Sequence, residues 1–207
     1  MMLISSEECQ LIVLDVQEGA LAALPEAGAL LARAQLLARL ARELHVPLFC
    51  TEQHPSLWGH LPQALQVLAP KPLTKMVFSA CEEGLIEMLR PPAKNGPPQG
   101  NARSLPKHLQ KKEAPPVPEK NQIVLLGLEA HVGVLQTALD LLDDEFEVYV
   151  VVDATLSRRP SDKDAALDRL ASAGAELVTT EMVVYEWLRS AEHGGFEDVH
   201  TWLKALD

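Results

Sequence analysis

Short, continuously apolar runs alternate along this chain with longer segments of helical periodicity, and that alternation restricts the fold more than any other feature. The runs are residues 11–15 (LIVLD), 46–50 (VPLFC), 73–78, 122–126 (QIVLL), 146–152 and 177–179. Helical patterns occupy 30–44, 82–89, 131–145, 160–174, 182–190 and 196–205, and Pro160 and Gly174 bracket one of them. A strand wetted on one face alternates apolar with polar residues. These runs do not, so both of their faces are covered. The pattern predicts an α/β fold with a parallel sheet between helical layers. Ligands of such sheets bind beyond the carboxyl ends of the strands. Asp15, Glu52 and the 127–133 turn fall at such ends, and Lys75 lies in the segment leading toward them.

Composition narrows the function classes. The 207 residues, 47% hydrophobic, suit one domain over 1–207. No apolar run is long enough to span a bilayer, so no membrane partner is expected. A net charge of −11 disfavours broad nucleic-acid binding. Cys9, Cys50 and Cys81 form no C-x-x-C pair and read as reduced thiols. The opening MMLISSEECQ resembles no secretory or Arg-rich leader, so a cytoplasmic location is expected. One stretch breaks the pattern. Residues 90–120 hold eight prolines and seven lysines and arginines against Glu113 and Glu119. That composition predicts a basic, partly polyproline-like inserted loop, the one segment of this acidic chain suited to phosphate contacts.

Three positions carry candidate chemistry. Asp15, in LDVQ, ends a buried strand. Burial raises a carboxyl pKa and suits it to general acid–base work, although a helix cap or a paired structural carboxylate would read the same way. Lys75, in TKMVFSA, sits among apolar residues. It either pairs with Asp15 or covers apolar surface with its stem. In GLEAHVGVLQTALDLL, residues 127–142, Gly127 permits a tight turn after a strand. The helix behind it offers unpaired backbone N–H groups to an anion or a developing oxyanion, as any strand–helix junction would.

Taken in order, LDVQ, TEQ at 51–53, TKMVFS, GLEAHVGVLQTALDLL and VVDATLSR ending at Arg158 resemble the successive motifs of isochorismatase-like hydrolases. The likeness is greatest to the eukaryotic isochorismatase domain-containing proteins and covers most of the chain apart from 90–120. It implies a Rossmann-like three-layer α/β/α sandwich with a parallel sheet of about six strands, a small-molecule substrate, no required cofactor and a homo-oligomer. Most members attack an amide or related carbon with a thiolate beside an Asp and a Lys. Asp15 and Lys75 match two of these three, and Gly133 stands at the cysteine's position. The resemblance also implies a cis peptide at 128–129 and substrate contacts from Gln17, Gln53, Glu129 and His131, the last equally readable as a structural hydrogen-bonding residue. Nicotinamidases of the same superfamily bind a divalent metal through D-x-H-x5-H. Glu52, His54 and His60 keep that spacing with Glu for Asp, a donor set suited to zinc, iron or manganese, although two loop histidines beside Trp58 would read identically.

True isochorismatases carry glycine where the others have cysteine. They cleave an enol ether without a covalent step, the carboxyl protonating the vinyl carbon before water attacks. Two departures stand against an anionic substrate of that kind. No arginine lies between Gln53 and Lys75, where a clamp is expected, and Glu129 replaces a tyrosine. Such a substrate loses a bidentate partner and meets a carboxylate. Three functions follow as expectations. The first is a small-molecule hydrolase working through Asp15 and Lys75 without a covalent cysteine. The second is a catalytically degenerate member that binds a ligand or partner. The third is an RNA-binding or RNA-cleaving protein contacting RNA through 90–120, since some mitochondrion-associated relatives are named as ribonucleases; it would add a mitochondrial association.

Overall fold

The computed structural model describes residues 3–91 and 120–206, so the expected basic loop lies outside the described residues except at its two ends. The first half runs β1 (Cys9–Leu14), α1 (Glu18–Leu21), α2 (Ala27–Glu43), β2 (Leu48–Gln53), α3 (Pro55–Trp58), α4 (Gln63–Gln66), β3 (Leu73–Lys75) and α5 (Leu85–Leu89). The second runs β4 (Gln122–Leu128), α6 (Leu135–Asp143), β5 (Glu147–Leu156), α7 (Pro160–Ala173), β6 (Glu176–Val178), α8 (Thr180–Leu188) and α9 (Phe196–Lys204). The six strands pair in parallel in the order β3-β2-β1-β4-β5-β6. This is the expected α/β architecture.

Alternate residues of each central strand feed opposite cores. Leu11 and Val13 of β1, with Val124 and Leu126 of β4, pack against α2 and α8. Ile12 and Leu14, with Ile123 and Leu125, pack against α5 and α6. Both sets are fully buried, which is why the runs read as continuously apolar. Helix α7 starts at Pro160, whose missing N–H costs nothing in a first turn, and stops at Gly174 with φ 107. Helix α8 is capped by Thr179, whose side chain accepts from the Met182 N–H at 3.3 Å.

Three local expectations are corrected. The strand expected over 73–78 ends at Lys75, because the next residues turn out of the sheet and leave Met76 and Phe78 more than half exposed. The 82–89 helix divides into a 3₁₀ turn at Cys81–Glu83 and α5. The elbow helix opens with a π turn at Ala130–Val134 before α6 begins. Past the wider turn Val134, Leu135, Ala138 and Leu141 are buried, whereas Val132, Leu139 and Leu142 are only partly so.

The chain reverses its direction of travel across the sheet between β1 and β4, so the cleft beyond their carboxyl ends is the topological switch point. These two strands pair from Cys9↔Gln122 to Leu14↔Gly127. At that last pair Gly127 has φ 140, and a Cβ there would lie 2.0 Å from the Leu14 carbonyl oxygen. Neither the conformation nor the contact tolerates a side chain. Gly127→Ala is expected to destabilise the fold by about 3 kcal/mol or more, combining a strained backbone with overpacking against main chain. A chemical-denaturation midpoint unchanged from the parent would contradict this.

Candidate active site

Four strand ends converge on the switch point. Asp15 follows β1 directly with φ 55, a left-handed conformation that Asp tolerates better than bulkier residues. Its backbone N–H donates to Thr51 Oγ1 at 3.1 Å, and the same hydroxyl donates to Asp15 Oδ1 at 2.6 Å. The other carboxylate oxygen, Oδ2, lies 2.7 Å from Lys75 Nζ. Lys75 is almost wholly buried, at 1% exposure. Its ammonium also donates to Gln53 Oε1 at 2.7 Å and to the Phe78 carbonyl at 2.9 Å, with the Val77 carbonyl at 3.5 Å. Three N–H donors thus meet three close acceptors, which is the condition under which a buried ammonium is tolerated. Burial pushes the Asp15 carboxyl above the ordinary carboxylate range, opposed first by the Lys75 charge and then by the hydrogen bonds.

The two glutamines expected to touch substrate also tie the scaffold together. Gln17 donates to the carbonyls of Gln53 at 3.0 Å and Gly59 at 2.6 Å, and its Oε1 accepts from the Gln53 N–H at 2.8 Å. Gln53 holds Lys75 with one end and donates to the Met76 carbonyl at 2.8 Å with the other. Both border the cavity, but their amides latch the ends of β1, β2 and β3 together.

The expected metal triad is not assembled. Glu52 Oε2 lies 3.1 Å from His60 Nδ1, and Glu52 Oε1 accepts from the Leu61 N–H at 2.9 Å. His54 takes a left-handed backbone ahead of Pro55 and pairs instead with Ser56 Oγ at 3.0 Å. Among the described residues no group of three His, Cys, Asp or Glu side chains is placed to hold a metal, so this donor set does not fit the ion. The cis peptide expected at 128–129 is also absent; the described chain contains none.

Above Asp15 opens a cavity of about 420 Å³, lined by Asp15, Gly133, Glu129 and Arg158 and by the apolar side chains of Ala20, Ala23, Trp58, Phe78, Leu128 and Val132. Gly133 lies directly against the acid: a Cβ there would sit 3.0 Å from Asp15 Oδ2 and 2.9 Å from Leu14 Cδ2. None of the three cysteines lines this cavity, and burial pushes each thiol up to about 12. His131 serves the wall rather than the floor, with Nδ1 3.0 Å from Ser157 Oγ and 3.4 Å from Glu129 Oε2.

Arg158 is the charged cavity residue that sequence reasoning missed as a site residue; the apolar lining was not legible either. The family resemblance places a clamping arginine between Gln53 and Lys75; the structure instead brings one from the far end of β5. Between the pairs Leu125↔Val150 and Gly127↔Thr155 the register of β5 shifts, and the strand end that follows carries Arg158 to the cavity. Its Nε lies 2.8 Å from Glu129 Oε1. The signal available in sequence was VVDATLSR itself, a strand-end motif closing on a cation.

The isochorismatase domain profile matches residues 101–182. Isochorismatase domain-containing protein 2 of Pongo abelii is 32% identical over 166 residues, covering 80% of this chain and 68% of that protein. Isochorismatase domain-containing protein 1 of Salmo salar is 30% identical over 196 residues, and the chain spans 59% of its length. Among solved structures, one described as the MAR1 ribonuclease of Caenorhabditis elegans superposes with a TM-score of 0.80 at 27% identity, covering 98% of this chain and 93% of that one.

The wiring of Asp15 yields a stability prediction. Lys75→Met strands a buried carboxylate and is expected to cost about 3–5 kcal/mol at pH 8. The ammonium is the largest influence lowering the Asp15 pKa, so the variant's Asp15 keeps its proton to higher pH than the parent's. The native variant then binds a proton that the unfolded chain has released. Stability is therefore regained as pH falls, fully below the ordinary carboxyl range, and lost as pH rises through the raised value. Denaturant titrations at pH 8 and pH 5 should show the deficit narrowing at the lower pH; an equal deficit at both would count against it.

Proposed function

This chain belongs to the isochorismatase-domain family of hydrolases, and we propose that it hydrolyses a small molecule held over Asp15, without a covalent thiol intermediate. The observation that carries the proposal is the wiring of that acid. Asp15 is a buried carboxyl with one oxygen on Lys75 and the other on Thr51, opening onto a cavity that Gly133 leaves clear of side chain. A carboxyl whose pKa burial raises takes up a proton more readily than an exposed one, and it can deliver that proton to a leaving atom or an unsaturated carbon. Water then completes the cleavage. Lys75 touches Asp15 rather than the cavity, so it is a positioning residue: it fixes the acid and offsets the charge left when the proton departs.

A second reading, RNA cleavage, is favoured by the 27% identity to the chain described as MAR1 ribonuclease. Against it stand the net charge of −11 and a cavity lined mainly by apolar side chains. Self-association is part of the proposal as well, since Leu57, Met76 and Phe78 leave apolar surface on the loops around the cavity. Sedimentation equilibrium is expected to give a mass of more than one chain.

The deciding experiment is a hydrolysis panel of amides, enol ethers and a single-stranded RNA, run on the purified protein and on Asp15→Asn. Turnover of an amide or enol ether is expected, reduced about 10²- to 10⁴-fold in the variant. Because Asp15 acts protonated, turnover should fall as pH rises through its raised pKa. Cleavage of RNA alone would replace the first reading with the second. Silence across the panel, or turnover indifferent to Asp15→Asn, would leave a binding protein on a hydrolase scaffold.

A further inference from the structure

The cavity contains two opposite charge pairs, and only one of them is closed. Asp15 and Lys75 satisfy each other at the floor. At the wall, the oxygens of Glu129 are taken up: Oε1 by Arg158 Nε at 2.8 Å, and Oε2 by the Arg158 backbone N–H and His131 Nδ1, each at 3.4 Å. Arg158 is not closed in the same way. Its side chain is 64% exposed, and among the described residues neither terminal guanidinium nitrogen has a hydrogen-bond partner. A guanidinium held through Nε by a carboxylate leaves its Nη atoms as a planar fork of donors.

We propose that Arg158 is the anion subsite of this cavity, and that the ligand is a small monocarboxylate with an apolar body. The inference rests on the reading that the cavity over Asp15 is the ligand site, and it names the class of molecule that fills it. Glu129 aims the arginine and is neutralised by it, so the repulsion that Glu129 alone would exert on an anion is removed. The rest of the lining is mainly apolar, with Trp58, Phe78, Leu128 and Val132 between the floor and the wall. Those surfaces suit a hydrocarbon body whose reacting end meets Asp15 and whose carboxylate meets the fork. Glu129 already takes up the guanidinium's single charge, so the fork offers hydrogen bonds rather than surplus charge; a monocarboxylate then adds one uncompensated charge where a dianionic phosphate would add two.

The test reads binding rather than turnover, so it fails or succeeds independently of the hydrolase reading. Benzoate, phenylacetate and 3-phenylpropanoate, each paired with its primary amide, and phenyl phosphate are titrated into the ¹⁵N-labelled protein at low salt. At least one carboxylate is expected to bind about tenfold more tightly than its amide. Arg158→Gln should erase that preference, and Arg158→Lys, which keeps the charge without the fork, should retain part of it. Native-like spectra of both variants establish that they are folded. The proposal is overturned if no carboxylate outbinds its amide, if the preference survives Arg158→Gln, or if phenyl phosphate binds more tightly than every carboxylate.

Discussion

A hydrogen atom where other residues carry a side chain, at position 127, lets β4 lie against the last carbonyl of β1. The separation leaves no room for a Cβ, which would fall 2.0 Å from the Leu14 oxygen. Through this approach the elbow after β4 reaches the acid that follows β1, across more than a hundred residues of sequence. Gly133 repeats the device one turn later by resting against Asp15 Oδ2. Without Gly127 the strands could still pair lower in the sheet, but β4 could not lie against the Leu14 carbonyl at the edge of the cleft. The cost of such backbone proximity is local and conformational, and the paired central strands supply the rigidity that maintains it.

Around that approach the polar groups are arranged so that little is left to rearrange. Burying an ammonium costs several kcal/mol unless its donors are met. Lys75 meets them with Asp15, Gln53 and the Phe78 carbonyl, and Gln53 is itself held by Gln17. The acid, its counter-ion and the ends of β1, β2 and β3 therefore form one hydrogen-bonded unit. A site built this way has its dipoles oriented before any ligand arrives, the condition under which electrostatic stabilisation is most effective. The same economy accounts for the glutamines: residues positioned to touch a ligand are occupied in holding the lysine.

The wall of the cavity is looser than the floor. Glu129, His131, Ser157 and Arg158 form a half-exposed network joining the π turn to the end of β5. π turns recur at functional sites because the wider turn re-aims side chains without ending the helix. Here it separates the buried stripe of α6 from the residues facing the cavity. The two sets are drawn from one short sequence, which is why Val132 borders the cavity while Val134 enters the core.

The layers, the parallel sheet and the strand ends at which chemistry gathers were legible in the amino-acid sequence, because doubly covered strands must be apolar throughout and helices must carry a 3.6-residue stripe. Asp15, Lys75 and Gly133 were legible too, since motif order places them at neighbouring strand ends. What the residues could not disclose was how their polar groups are spent. Gln17 and Gln53 border the cavity with amides already bonded to main chain and, for Gln53, to Lys75. His54 keeps metal-ligand spacing but is carried away from Glu52 by its left-handed backbone before Pro55. Arg158 lies far in sequence from the 53–75 segment where the family resemblance places a clamp, and the register shift in β5 brings it in. Local sequence determines periodicity, turn chemistry and the inventory of groups. Only tertiary structure decides which groups find each other first, because a hydrogen bond or ion pair depends on distances of a few tenths of an ångström that strand register sets and sequence spacing does not.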